Sequence, residues 1–207
     1  MKTVLRVDTS SRSTGSQSRA LGDYFEHTWV KRNPSDCFVR RDVAENPLPH
    51  IASQTITGFY TPEEKLTGEL RRATALSDRL IGELRAADVL LLTVPIYNFS
   101  IPSALKAWID HIVRIGHTFA YDGKNFTGLV TGKRAYVVCA YGAGGYLGNG
   151  PLAGYDFLKP YLTLLLGFLG IQDIRFFAAE GTTLDEVSVS KNIDKAKQEM
   201  ASAISIA

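Results

Sequence analysis

The sequence predicts an α/β protein in which helices cover both faces of one doubly wound, five-stranded parallel sheet. Five short apolar segments alternate along the chain with segments of helical periodicity, which is typical of parallel βαβ units. The run DVLLLTV from Asp88 to Val94 is apolar almost throughout, as expected for a strand covered on both faces. The length of 207 residues favours a single domain over residues 1–207.

Two further strands and two helices are predicted in the first half of the chain. Thr3–Val7 is the first strand candidate and Cys37–Val39 a weaker second one. Apolar residues at helical spacing predict a helix over residues 16–32 between them. Residues 40–51 contain two prolines and predict an irregular connection, after which a helix is expected from Pro62 to Arg85.

The second half continues the alternation. An amphipathic helix follows the third strand, and its apolar stripe consists of Leu105, Trp108, Ile109, Ile112 and Val113. The remaining predicted segments are a long excursion at 116–133, a fourth strand at 134–140, a glycine-rich loop at 141–151, a buried helix at 155–170, a fifth strand at 174–181 and a polar helix from Leu184 to Ile204. Together they complete five βα units.

Composition excludes several classes of function. The net charge is only +2 and the basic residues are scattered, which disfavours a nucleic-acid partner. No apolar run approaches the ~20 residues of a membrane span, and Arg6 and Asp8 interrupt the start where a signal peptide needs an apolar run. The two cysteines, Cys37 and Cys139, have no metal-ligand spacing. We therefore expect a cytoplasmic protein with reduced thiols and without a metal site.

Two sheet arrangements fit this pattern. One is the flavodoxin type with strand order 2-1-3-4-5, and the other is half of a dinucleotide-binding Rossmann sheet. In both, ligands bind beyond the carboxyl ends of the strands where the strand order reverses. The loops after the first, third and fourth strands are therefore the candidate site.

The loop after the first strand suits a phosphate group. DTSSRSTGSQS, from Asp8 to Ser18, holds five serines, two threonines and one glycine, and it leads into a helix. Hydroxyls and free N–H groups at a helix N-terminus bind anions. The loop matches neither GxGxxG nor GxxxxGK[ST], so a singly phosphorylated ligand fits better than a dinucleotide or a triphosphate. The alternative is a flexible turn with a helix cap.

The other two loops suit a flat heterocycle. PIYNFS, after the third strand, offers aromatic rings and an amide that can both donate and accept hydrogen bonds, although its rings would equally suit the core. Pro95 and Pro102 are expected to make this loop a rigid shelf for the ring. The five glycines of YGAGGYLGNGP, after the fourth strand, permit a close backbone approach or simply a mobile loop. The three loops together indicate a bound flavin mononucleotide (FMN).

Four segments resemble the FMN-dependent NADH-azoreductases, a family within the flavodoxin-like NAD(P)H:quinone oxidoreductases. They are SQSRALGDYF (16–25), PIYNFSIPSALKAWID (95–110), GHTFAYDGKNFTGLVTGK (116–133) and PYLTLLLGFLGIQDIRFFAAEG (160–181). The resemblance covers nearly the whole chain. It implies a flavodoxin-like sheet and a homodimer with one FMN per subunit at the interface. It also implies ping-pong hydride transfer from NADH or NADPH to quinones or azo compounds.

The resemblance also implies site residues. The matching positions are Ser10, Ser16, Gln17 and Ser18 for the phosphate; Ile96, Tyr97, Asn98 and Phe99 for the isoalloxazine ring; and Ala140, Tyr141, Gly142, Ala143 and Gly144 in the loop after the fourth strand. This last loop departs from the Ser-Arg-Gly-Gly common in the family and is longer. Position 96, often Met in the family, is Ile here.

Other residues are candidates for the substrate side. Tyr121, Phe126 and Tyr146 are candidates for stacking on nicotinamide or quinone, or alternatively for packing at a dimer interface. Leu165 stands where the family often has an aromatic residue near the substrate.

In this interpretation the flavin carries the chemistry and no side chain is a catalytic acid, base or nucleophile. Main-chain N–H donors around Gly142 and Gly144 would favour the reduced flavin, and the four dispersed histidines are expected to be structural.

Alternative functions are a flavodoxin-like electron carrier and a non-catalytic flavin- or nucleotide-binding module. Electron carriers tend to be strongly acidic, unlike this chain. A receiver domain would need an acidic residue where Val94 and Pro95 stand, and a hydrolase of the α/β class would need a GxSxG motif.

Overall fold

A five-stranded parallel sheet forms the centre of the computed structural model, which describes residues 1–205. The strands of the chain are β1 (Thr3–Asp8), β2 (Cys37–Asp42), β3 (Val89–Pro95), β4 (Phe119–Tyr121), β5 (Phe126–Gly128), β6 (Arg134–Ala140) and β7 (Asp173–Ala179). The sheet order is β2-β1-β3-β6-β7, and every pair in it is parallel. This confirms the predicted order 2-1-3-4-5 and excludes the half-Rossmann alternative.

Helices cover both faces of the sheet. They are α1 (Gln17–Arg32), α2 (Ser53–Tyr60), α3 (Gly68–Ala86), α4 (Ser103–Ile112), α5 (Leu158–Leu169) and α6 (Glu186–Ile204). Buried side chains of α3, α4 and α5 form the larger core on one face, and those of α1 and α6 form the smaller core on the other. Every residue of β3 is buried, as its apolar sequence predicts.

The segment before β3 differs from the prediction. A single helix from Pro62 to Arg85 is expected, but Glu63–Lys65 forms one 3-10 turn and α3 begins only at Gly68. The reason is the Thr67 side chain, which caps α3 by accepting a hydrogen bond from the Leu70 N–H at 3.3 Å. The short helix α2 is also missing from the prediction. Its Gly58 packs against Thr74 of α3, so tertiary contact accounts for a helix with little sequence signal.

The excursion at 116–133 contains an antiparallel hairpin of β4 and β5. Gly128 at the end of β5 lies against Gly170, the left-handed residue that ends α5. A Cβ atom on Gly128 would lie 2.3 Å from the Gly170 nitrogen. The absence of a side chain therefore lets the hairpin dock on α5.

Across residues 1–205, no helix combines the length and the apolar character needed to cross a bilayer. Both cysteines are free thiols, Cys37 exposed and Cys139 buried.

Candidate functional site

A cleft of about 270 Å³ lies at the carboxyl ends of the strands, where the sheet order reverses between β1 and β3. The loops after β1, β3, β6 and β7 form its walls. Its lining residues are Ser10, Arg12, Gly15, Ser16, Gln17, Ser18, Pro95, Ile96, Tyr97, Ala140, Gly142, Thr182 and Thr183. The three loops singled out in the sequence thus meet in one place, and the loop after β7 joins them.

The serine-rich loop presents hydroxyls at the start of α1. Ser16 is the N-cap and accepts a hydrogen bond from the Arg19 N–H at 3.4 Å, while its Oγ lies 3.2 Å from the Oγ of Ser18. The N–H groups of Gln17 and Ser18 precede the first intrahelical bond, which Ala20 donates to the Ser16 carbonyl. Two hydroxyls and two main-chain donors thus converge at a helix N-terminus, the arrangement that binds phosphate.

Arg19 holds this loop from behind. Its Nη2 donates to the Ser10 carbonyl at 2.7 Å and to Asp42 at 3.0 Å, so its charge is paired. The hydrogen bond to Asp42 raises the pKa of Arg19. Burial raises the pKa of Asp42, but the hydrogen bonds from Arg19 and two main-chain N–H groups outweigh burial and hold that pKa below its usual value. The ion pair therefore stays charged at neutral pH and fixes the backbone at Ser10.

Residues 97–100 form a tight turn at the end of β3. The N–H and carbonyl of Tyr97 pair with those of Ser100 at 2.9 and 3.1 Å. The central residues have positive φ angles, 47° at Asn98 and 71° at Phe99, as a type I′ turn requires. This conformation is unfavourable for a bulky residue such as phenylalanine. The expected rigid shelf is thus a strained turn.

Tyr97 connects this turn to the serine-rich loop. Its hydroxyl accepts a hydrogen bond from the Ser11 N–H at 3.2 Å and lies 3.5 Å from the Ser10 Oγ. The two halves of the cleft, separated by more than 80 residues in sequence, are therefore joined through one phenol group.

The four residues expected to bind the isoalloxazine ring, Ile96 to Phe99, do not all line the cleft. Ile96 and Tyr97 line the cleft. Asn98 lines a neighbouring groove of about 550 Å³, together with Lys106 and Tyr161. Phe99 lines neither, and its ring lies 5.6 Å from that of Tyr155.

The glycine-rich loop after β6 is held from one side. The carbonyls of Tyr141, Gly142 and Ala143 accept hydrogen bonds from the N–H groups of Thr182, Thr183 and Gly181 at 3.0–3.1 Å. Both threonine hydroxyls add a second bond to the same carbonyls. The N–H groups of residues 142, 143 and 144 have no acceptor within the described part of the chain.

Two side chains from the region 140–146 point into the core. Tyr141 is buried and donates its hydroxyl proton to Asp156 at 3.0 Å, and its pKa is raised because of burial. Tyr146 is also buried and packs on Tyr141, with ring centroids 5.0 Å apart. Ala140 and Gly142 line the cleft, whereas Ala143 and Gly144 are exposed beside it. The main chain of Tyr141 is also occupied, because its N–H donates to the Ala179 carbonyl and its carbonyl accepts from Thr182.

The remaining substrate-side candidates lie away from the cleft. Leu165 is buried in the larger core. Tyr121 and Phe126 belong to the β4–β5 hairpin, where they are 47% and 60% exposed and stack with ring centroids 4.6 Å apart. Phe119 and Phe168 extend this aromatic cluster.

Sequence reasoning missed five lining residues, Arg12, Gly15, Pro95, Thr182 and Thr183. The two threonines lie three and four residues after the end of β7, so the rule that parallel strands end at one edge also applies to their loop. Arg12 lies within the serine-rich loop and brings a positive charge to the cleft.

None of the side chains that line the cleft is a histidine or a cysteine. Cys139 lies just before Ala140, but burial raises the pKa of its thiol to about 12, so it stays protonated at neutral pH. Within residues 1–205, no three His, Cys, Asp or Glu side chains form a group able to hold a metal ion. The hydroxyl groups that line the cleft therefore have no histidine among the lining residues to act as their general base.

The donor groups of the cleft fit FMN. Hydroxyls and N–H groups at the start of α1 match a phosphate monoester, with the Arg12 charge nearby. The N–H groups of residues 142–144, which have no acceptor in the described chain, match the carbonyl edge of a flavin ring. One end of the cleft thus suits an anion and the other a flat polar heterocycle.

Comparisons with known proteins agree with this geometry. Residues 2–204 match a family described as having the flavodoxin-like fold. The FMN-dependent NADH:quinone oxidoreductase of Xanthobacter autotrophicus is 59% identical over 84% of both chains. The one from Hydrogenovibrio crunogenus is 43% identical over 99% of this chain and 100% of its own. A solved azoreductase from Bacillus anthracis has a TM-score of 0.89 at 26% identity and covers 99% of both chains.

The match to a family model over nearly all of the sequence, together with close relatives of the same length, confirms the resemblance stated from the motifs. The chain belongs to the family with the flavodoxin-like fold that includes the FMN-dependent NADH:quinone oxidoreductases.

Proposed function

We propose that this protein is an FMN-dependent oxidoreductase that transfers two electrons from NADH or NADPH to quinones or azo compounds by a ping-pong mechanism. The observation that carries the proposal is one cleft lined both by a hydroxyl-rich helix N-terminus and by a loop whose N–H groups at 142–144 have no acceptor in the described chain. The relatives named FMN-dependent NADH:quinone oxidoreductase support it independently. FMN, when bound, would supply the hydride chemistry that the side chains of the cleft do not.

In this proposal the start of α1 binds the phosphate. The hydroxyls of Ser10, Ser16 and Ser18 and the N–H groups of Gln17 and Ser18 provide the hydrogen bonds, and Arg12 provides charge. Arg19 does not contact the phosphate but keeps the loop in place through Ser10 and Asp42.

The ring is held between the turn after β3 and the loop after β6. Ile96 and Tyr97 form one wall, and Ala140 and Gly142 form the other. The N–H groups of residues 142–144 would donate hydrogen bonds to the ring and favour its reduced, negatively charged form, because donors fixed in advance need no reorganisation. We place Asn98 and Phe99 at the rim, facing the acceptor.

We further propose that the enzyme is a homodimer with one FMN per subunit at the interface. The exposed aromatic pair of Tyr121 and Phe126, together with the 70% exposed Leu164, supports a partner surface, since apolar patches of this kind mark interfaces. In the dimer, Tyr121 and Phe126 would contact the acceptor in the partner's cleft. Sedimentation of the Phe126→Ser variant tests whether this aromatic surface forms the dimer interface, and an unchanged dimer would contradict that.

We also propose that the chain acts as a single FMN-binding domain in the cytoplasm. Its two free thiols, one of them exposed, support a reducing compartment.

One spectroscopic experiment tests the function. The purified protein should be yellow or should bind added FMN, and NADH added without oxygen should bleach its visible absorbance. A two-electron quinone should then restore the colour. A protein that neither contains nor binds FMN would contradict the proposal.

The same experiment separates the alternatives. A yellow protein that NADH does not bleach would favour an electron carrier. A yellow protein that none of the tested reductants bleaches would favour a non-catalytic binding module.

A further inference from the structure

Glu180 lies at the carboxyl end of β7, outside the lining of the cleft. One of its carboxylate oxygens, Oε2, accepts hydrogen bonds from three consecutive main-chain N–H groups, those of Gly145, Tyr146 and Leu147, at 2.8, 3.0 and 3.2 Å. Successive N–H groups that converge in this way form an anion-binding nest. The nest in the glycine-rich loop is therefore filled by the protein's own carboxylate.

The same segment of chain also holds the preceding part of the loop. Residues 181–183 bind the carbonyls of residues 141–143, as described above. In a trans peptide unit the C=O and the following N–H point in opposite directions. Because the carbonyls of residues 141–143 point toward residues 181–183, the N–H groups of Gly142, Ala143 and Gly144 point away from them.

Two further hydrogen bonds hold the main chain around Glu180, one from α6 and one from the first residue of the loop. The Glu180 carbonyl accepts a hydrogen bond from the Asn192 side chain of α6 at 2.8 Å, and the preceding Ala179 carbonyl accepts from the Tyr141 N–H at 2.9 Å. The carboxylate thus anchors residues 145–147 to the end of a sheet strand. Without that anchor, the main-chain hydrogen bonds described for residues 144–147 would be two bonds within the loop. The Leu152 N–H donates to the Gly145 carbonyl, and the Gly150 N–H donates to the Leu147 carbonyl.

We propose that Glu180 is a positioning residue for flavin binding: its carboxylate orders the glycine-rich loop so that the N–H groups of residues 142–144 are preorganised as donors to the ring. This rests on the proposed function and assigns a role to a residue that does not touch the cofactor. Donors that are already ordered lose less entropy on binding and respond more strongly to charge on the ring.

Two variants separate positioning from charge. Both Glu180→Ala and Glu180→Gln remove the negative charge, but glutamine keeps a carbonyl oxygen that can accept from the nest. We expect Glu180→Ala to bind FMN at least tenfold more weakly than the wild type, as measured by fluorescence titration of the apoprotein. We also expect faster amide exchange across residues 142–147 and a lower flavin midpoint potential than in Glu180→Gln. Glutamine should recover part of each loss.

Asp185→Ala is the matched control. Asp185 also accepts a main-chain hydrogen bond, from the Ser188 N–H at 3.0 Å, but as the exposed N-cap of α6. Its loss should lower thermal stability while FMN affinity stays within twofold of the wild type. Destabilisation alone therefore cannot produce the effect expected at Glu180.

Equal FMN affinity and equal midpoint potential in Glu180→Ala and Glu180→Gln would overturn the proposal. If the alanine variant does not fold, wild-type FMN affinity in Glu180→Gln together with faster amide exchange across residues 142–147 would overturn it, because a disordered loop would then bind FMN as well as an ordered one. Failure of the wild-type protein to bind FMN would instead contradict the proposed function. Amide exchange in the apoprotein would then still decide whether Glu180 orders the loop.

Discussion

The turn at residues 97–100 allows a test in which glycine should stabilise the protein. Phe99 has a φ angle of 71°, where a residue with a Cβ atom costs roughly 1–2 kcal/mol relative to glycine. Relative to alanine, glycine lowers the free energy of unfolding by roughly 0.5–1 kcal/mol because it gives the unfolded chain more conformational freedom. The difference predicts that Phe99→Gly is more stable than Phe99→Ala by up to about 1.5 kcal/mol.

Both variants lose the phenylalanine ring and its contact with Tyr155, so their difference reports the backbone alone. The measurement is the free energy of unfolding of the apoprotein in urea. The control is the pair Arg79→Ala and Arg79→Gly at an exposed position inside α3, where glycine should be the less stable by about 1 kcal/mol. Should Phe99→Gly be no more stable than Phe99→Ala, the strain at this turn would be refuted.

The turnover of the two Phe99 variants should not follow their free energies of unfolding. If the Phe99 ring serves the acceptor side of the flavin, both Phe99 variants lose turnover to a similar extent. A strained residue that is retained although glycine would be more stable is typical of a functional site. Turnover at the wild-type level in Phe99→Gly would remove the functional interpretation of the turn.

Three further predictions concern the phosphate end, the ion pair and the hairpin. The double change Ser16→Ala with Ser18→Ala should weaken FMN retention at least tenfold, as measured by dialysis; unchanged retention would mean that the phosphate binds elsewhere. Because the pKa of Asp42 is lower in the folded protein, its stabilisation is complete above the ordinary aspartate pKa of about 3.9 and is lost as the pH falls through the folded value. The Asp42→Asn variant should therefore be less stable than the wild type at pH 7, and this difference should shrink as the pH falls below about 3.9. A pH-independent difference would contradict the ion pair. Gly128→Ala should lower the melting temperature sharply because its Cβ meets backbone at 2.3 Å, whereas Gly82→Ala, in open space on α3, should raise it slightly; equal effects would refute the close contact.

The sheet could be predicted because its strongest signals are local. The buried strands β3 and β6 are apolar almost throughout, a pattern typical of parallel strands that helices cover on both faces. The helix break at Thr67 has a local signal as well, a threonine that caps the next helix, which the prediction passed over in favour of Pro62. Helix α2 has no comparable signal, since its stability comes from packing on α3.

For the candidate site, the place was predictable but the direction of the side chains was not. Parallel strands end at one edge, so the loops after β1, β3 and β6 had to meet. Whether Tyr141 or its neighbours face the cleft depends on Asp156, 15 residues away, which binds the Tyr141 hydroxyl. Likewise, Tyr146 is buried against Tyr141, a contact that no local pattern contains.

The bond between the Tyr97 hydroxyl and the Ser11 N–H also bears on how the protein folds. It closes a loop of 86 residues between the ends of β1 and β3, which pair in the sheet. Cofactor binding stabilises only chains in which this closure has occurred, by an amount that grows with the logarithm of the FMN concentration. The rate at which refolding chains take up FMN would then report when the two halves of the sheet assemble, without any label.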